Sequence, residues 1–148
     1  MFTNAIAYQI ANNTHVQKFK AIVVPGLDVS KYGAGAYFVL DQDHFSEFKD
    51  QLGKEVDELQ TLYIYTIALS GRFFNEHDIV KETGKTVFDT YRSLLDELQD
   101  PLKASKEMVA RYGIVGAEFN SPEDGHSVVV YDPDTKPDPI KILDIQKL

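Results

Sequence analysis

The sequence predicts an α+β domain built on a mainly antiparallel sheet, with helices inserted between the strands. Three observations lead there. Strand-like segments stand at both ends of the chain, helix-like segments crowd its middle, and the two do not alternate in the regular order of a parallel sheet. The 148 residues are 43% hydrophobic and 26% charged, which is the make-up of an ordinary globular protein. That length fits one domain with a real core, spanning residues 1–148.

The elements follow in order. Asn4 to Ala11 reads as a short strand. Asn12, Asn13 and Thr14 read as a turn and helix cap, since their side chains accept bonds from free helical N–H groups. His15 to Val24 reads as a helix passing into a strand, ended by Pro25-Gly26. Tyr32 to Leu40 starts with glycines that permit a tight backbone and ends as a strand. Asp41 to Leu52 has a capping aspartate, Asp41 or Asp43, and Phe45, Phe48 and Leu52 at helical spacing. Gln60 to Leu69, aromatic and β-branched, is the clearest strand.

Thr86 to Leu98 aligns Val87, Tyr91, Leu94, Leu95 and Leu98 along one side of a helix. Pro101 opens a further helix to Tyr112, and Gly113 fits its stop. Ile114 to Phe119 is a short strand, Ser121 to Gly125 a turn, and Ser127 to Tyr131 a strand of buried type. Three prolines make Asp132 to Pro139 an irregular loop before the closing strand Ile140 to Ile145.

Composition excludes several classes of function. The formal charge of −8 argues against binding to a nucleic-acid backbone, which needs positive potential. With no cysteine, disulfides and thiolate metal sites are impossible. No apolar stretch approaches the ~20 residues that cross a bilayer, so no membrane association is expected. Met1 to Ile10 lacks the basic and apolar regions of a signal peptide, so a cytoplasmic location, bacterial or host, is expected.

Several motifs fail. Gly33-Ala34-Gly35 precedes a strand, whereas a dinucleotide-binding turn follows a strand and opens a helix. His15, His44, His77 and His126 show no metal-ligand spacing, and His77 between Glu76 and Asp78 reads as a solvated cluster, so no metal is expected. Asp132-Pro133-Asp134 lacks the glycine and glutamate of a calcium loop. Tyr63 and Tyr65 read as sheet packing.

Three segments taken together carry a resemblance. The first is Ala7-Tyr8-Gln9-Ile10-Ala11-Asn12. The second is Tyr32-Gly33-Ala34-Gly35-Ala36-Tyr37-Phe38. The third runs from Gly113-Ile114-Val115-Gly116-Ala117 through a charged turn to Ser127-Val128-Val129-Val130-Tyr131-Asp132-Pro133 and Ile140-Lys141-Ile142. The chain resembles the ADP-ribosyltransferase superfamily in its small phage and toxin forms. Typical members read Tyr-His-Gly-Thr in the first segment and Gly-x-Gly-x-Tyr-Phe in the second. The third reads Glu-Tyr-x-Val-Tyr-Asp-Pro.

The resemblance implies split, mainly antiparallel sheets forming a cleft for NAD, used as a substrate without a metal. It implies that Tyr8, Gln9, Gly35 and Tyr37 line the cofactor site, with Tyr37 stacking on nicotinamide. It implies transfer of ADP-ribose to a macromolecular acceptor, most simply a protein, by a phage or bacterial effector or inhibitor. The sequence departs from the pattern twice. Gln9 stands where histidine is expected, and Ser127 where glutamate is expected. A hydroxyl cannot supply the carboxylate that stabilises the oxocarbenium-like sugar as nicotinamide leaves. Glu123, Asp124 and Glu118 are the candidate replacements, with His126 beside them. Two other readings stay open: a binding protein on the same fold that has lost catalysis, and an unrelated α+β interaction protein whose tyrosines and glycines are structural.

Overall fold

The computed structural model describes residues 1–11, 32–55, 62–121 and 125–147. The expected turn and helix over residues 12–26, the start of the strand at Gln60, and Glu123 and Asp124 lie outside the described residues. In chain order the elements are β1 (Phe2–Ala11), β2 (Ala36–Val39), α1 (Gln42–Glu55), β3 (Tyr63–Gly71), β4 (Phe73–Phe74) and α2 (Glu76–Thr83). They continue as α3 (Val87–Leu98), α4 (Pro101–Tyr112), β5 (Gly116–Ser121), β6 (Gly125–Val130) and β7 (Ile140–Lys147).

The central helices begin and end on their capping residues. The Thr86 hydroxyl accepts from the Asp89 amide at 3.1 Å and starts α3. The Asp100 carboxylate accepts from the Leu102 and Lys103 amides at 2.9 and 3.2 Å, and Pro101 opens α4 behind it. Gly113, at φ 63°, closes α4 in the left-handed conformation that glycine takes without strain. One helix was not expected: α2, capped by Asn75 and ended by Gly84. Ile79 is its one buried residue, so it has no apolar periodicity to read.

The strands form a seven-stranded sheet in the order β4-β5-β6-β2-β1-β3-β7. The β4–β5 pair is parallel and the other pairs are antiparallel. The sheet must curl. Laid flat at ~4.8 Å per strand, β3 and β4 would stand about 24 Å apart. Arg72 alone joins them, and that link reaches only ~7 Å. Curling brings the start of β1 against the far margin, where the Phe2 and Phe73 rings lie 4.7 Å apart.

Two cores result. On the concave face, Ala7, Tyr65, Ile67 and Leu69 meet Phe38, Phe73, Val128 and Val130 from the other half of the sheet. On the convex face of β5 and β6, Ala117, Phe119 and Val129 pack against Ile79, Tyr91, Leu94, Ala104 and Met108 of the helices. No helix among the described residues is long and apolar enough to cross a membrane.

Candidate functional site

The sheet is nearly parted in its middle. β1 pairs with β3 from Phe2 to Ala11, and β2 pairs with β6 along all of Ala36–Val39. Between β1 and β2 the described register holds one pair, Tyr8 opposite Val39. Past that point a side chain takes over from the backbone ladder: the Gln9 amide donates from Nε2 to the Tyr37 carbonyl at 2.8 Å. The amide retains its oxygen and a second N–H for other partners. Gln9 therefore meets the main chain of Tyr37, while its side chain, opposite Tyr65, takes the concave face and the Tyr37 ring, opposite Val129, takes the other.

Tyr37, the second residue of β2, follows an irregular stretch, residues 32–35, and buried hydroxyls hold that stretch in place. The Tyr131 hydroxyl donates to the Tyr32 carbonyl at 2.9 Å. The Tyr37 hydroxyl donates to the Gly33 carbonyl. The Ala34 amide donates to the Tyr91 hydroxyl at 3.0 Å, and the Ser105 hydroxyl donates to the Ala34 carbonyl. A segment with a ladder partner only at Gly35 needs such bonds, because buried backbone groups left unpaired are costly.

Its glycines are required by space. Gly33 has φ +111°, and a Cβ there would lie 2.4 Å from the Tyr91 ring. A Cβ on Gly35 would lie 2.4 Å from the Val129 Cγ2 and 2.6 Å from the Val130 carbonyl oxygen. The sequence placed Gly35 in a cofactor site; its described surroundings are the backbone and side chains of β6.

Burial raises the phenol pKa of Tyr37, with Tyr91 and Tyr32 adding to the effect. Burial likewise raises Tyr131, helped by Tyr37, Tyr91 and Glu76. Tyr32 is raised by burial and then by the Glu76 carboxylate. These hydroxyls stay protonated across the physiological range and remain donors.

Strand alternation sorts the remaining candidates. Tyr37 stands opposite Val129, and Val39 opposite Ser127, so Tyr37, Val39 and Ser127 share the convex face with Tyr8. There Tyr8 stacks on Phe45 of α1 at 4.8 Å, and Tyr37 meets the edge of Phe119, which stacks on Tyr32 at 4.1 Å. Ser127 is buried, and its hydroxyl donates to the Gly125 carbonyl at 3.2 Å.

Glu118 stands opposite Val128 and so takes the concave face, where His126 Nε2 meets its carboxylate at 2.9 Å. The Glu118–His126 pair and the Tyr37–Ser127 group thus lie on opposite faces of one sheet. On the side of Ser127, the described carboxylates include Asp41, beside Gly125, and Glu76, which acts on Tyr32 and Tyr131. The Asp41 Oδ2 would lie 2.8 Å from a Cβ on Gly125, so the bare glycine leaves it room. Among the described residues no group of acidic and histidine side chains could hold a metal ion.

No protein-family model matches the chain, and no curated protein matches it. Among solved structures, it is similar to a chain of the crystal structure of the M. tuberculosis MbcT–MbcA toxin–antitoxin complex. The likeness covers 99% of this chain and 85% of the other, with a TM-score of 0.53 and 12% identity. It is a likeness of fold.

Sequence reasoning missed Phe119 and Tyr32 as neighbours of Tyr37, and Asp41 as a neighbour of Gly125 and His126. Phe119 was read as a strand end and Asp41 as a helix cap. Nothing local marks either as a neighbour of β2 and β6, because the long-range register brings them there.

Proposed function

We propose that the chain is a toxin- or effector-type protein that binds NAD at the parting between β1 and β2, as an ADP-ribosyltransferase would. The observation that carries this is the contact of the Gln9 amide with the Tyr37 carbonyl where, among the described residues, β1 and β2 share one pair. Three further points support it: the glycine segment before Tyr37, the aromatic rings on its face, and a fold shared with a chain of a toxin–antitoxin complex.

The residues fit the cofactor's chemistry in part. Gln9, which by alternation takes the concave face opposite Tyr65, keeps an amide oxygen and an N–H that would match a carboxamide reaching through the parting from the Tyr37 side. The half-buried Tyr37 ring and its neighbours offer a flat apolar surface to a pyridinium. NAD would supply an activated glycosidic bond. The chain's part is to hold the nicotinamide ring, exclude water, and set a carboxylate near the sugar as positive charge develops. Asp41 and Glu123 are the carboxylates proposed for that role. A protein acceptor would take the ADP-ribose, and a protein partner would hold the activity in check.

One observation favours a second reading on the same fold. The position of the family glutamate is filled by a buried serine whose hydroxyl is already engaged. A chain without a working carboxylate would bind NAD or a protein and not cleave the cofactor.

Calorimetry with NAD, run beside an assay of nicotinamide release, separates these readings. The transferase reading expects binding that Tyr37→Ala weakens and release that Asp41→Asn or Glu123→Gln abolishes. Binding without release selects the second reading. No binding at millimolar NAD sinks the cleft.

A further inference from the structure

The helices α3 and α4 do more than cover the sheet. Tyr91 of α3 and Ser105 of α4 bond to each other at 3.0 Å, and both bond to Ala34. Tyr131, just after β6, stacks on Tyr91 at 5.8 Å and donates to Tyr32. Ser105 and Tyr131 are almost wholly buried, and Tyr91 is 4% exposed. Each of these hydroxyls sits in an apolar core, where placing a polar group is unfavourable unless its bonds are made. Phenylalanine and alanine would fill the same space at lower cost, so packing alone does not account for them.

All three hydroxyls bond the main chain of Tyr32 or Ala34, and those of Tyr91 and Ser105 also reach the Pro101 carbonyl, at 2.6 and 3.1 Å, which fixes the segment to the start of α4. That segment leads directly into Tyr37, whose own hydroxyl ties back to Gly33. We infer that Tyr91, Ser105 and Tyr131 are positioning residues, holding the backbone of residues 32–35 so that Tyr37 is presented at the parting. This rests on the NAD reading for its functional consequence, but the positioning itself does not. None of the three touches a ligand in this reading, and each acts through the segment it holds.

The test uses the full chain. Tyr131→Phe and Tyr91→Phe each remove one hydroxyl and leave the ring, and Ser105→Ala removes the third. Leu94→Val trims the same helix-packed core without touching the segment and serves as a control for lost stability. The first readout is amide hydrogen exchange. Each hydroxyl variant is expected to speed exchange across residues 32–37 by about tenfold over the control, the scale of one lost buried bond. Exchange there no faster than in Leu94→Val overturns the inference. The second readout is NAD affinity, expected to fall in the hydroxyl variants and hold in Leu94→Val. Equal affinities in all variants, with wild type binding, also overturn it. If wild type binds no NAD, the cleft reading fails, and the exchange data still decide whether the hydroxyls hold the segment.

Discussion

The Gln9 side-chain amide donates to the Tyr37 carbonyl at 2.8 Å, one residue past the single backbone pair that joins β1 to β2. A side chain thus does the work of a sheet hydrogen bond where the ladder stops. Gln9→Ala should remove that strap. We expect a loss of about 1 kcal/mol in urea denaturation, the typical worth of a partly buried hydrogen bond. NAD affinity should fall as well. Unchanged stability would mean that water replaces the amide freely.

Gly35→Ala should be far more damaging. The added methyl would meet the Val130 carbonyl oxygen at 2.6 Å, and backbone cannot step aside as a flexible side-chain end can. A destabilisation of about 3 kcal/mol is expected, at the upper end of overpacking effects. Thermal melting compared with Gly84→Ala offers an internal contrast, because a Cβ at Gly84 meets nothing within 4 Å and only its φ of +74° is strained.

Alkaline pH should loosen the protein through its buried phenols. Tyr37 and Tyr131 have raised pKa values in the folded chain. Below about pH 10 both folded and unfolded forms keep these protons, and the stabilisation is complete. Above it the unfolded chain ionises first, so stability falls as pH rises, by up to ~1.4 kcal/mol per pH unit for each such tyrosine. Tyr131→Phe should flatten that slope by its share. Denaturation midpoints between neutral pH and pH 11 would read it, and an equal slope in both proteins would assign the loss to other groups.

Glu118 and His126 face away from Tyr37 and Ser127. Glu118→Gln should therefore leave NAD affinity and any nicotinamide release unchanged. It should cost under about 1 kcal/mol, since the pair it breaks is partly solvated. A variant without release would move the chemistry to the concave face and overturn the choice of Asp41 and Glu123.

Much of this architecture was legible where the signal is local. Thr86, Asp100, Pro101 and Gly113 mark helix ends through bonds to neighbours a few residues away, and α3 and α4 were expected at nearly their observed bounds. β3 and β6 announced themselves by aromatic and β-branched runs. The parts that stayed hidden depend on distant residues. β4 is two residues long and exists because β5 lies beside it. Tyr91 was rightly placed on the buried side of α3, yet nothing in its helix says that its hydroxyl meets Ala34, 57 positions earlier. For the site, the sequence singled out Gln9 and Tyr37; the Gln9 amide reaches the Tyr37 carbonyl, with the two side chains on opposite faces. It could not say that His126 and Ser127, adjacent in the chain, serve opposite faces until β6 was known to be a regular strand from end to end.

The one-residue join at Arg72 carries a consequence for how the molecule comes apart. The chain leaves β3 near one margin of the sheet and enters β4 at the other, while Phe2 and Phe73 close the same seam. Neither half of the β layer can be peeled away without opening that seam. Melting followed by aromatic absorbance and by far-ultraviolet dichroism should therefore give one cooperative transition, in which the first strand and the late hairpin of β5 and β6 are lost together.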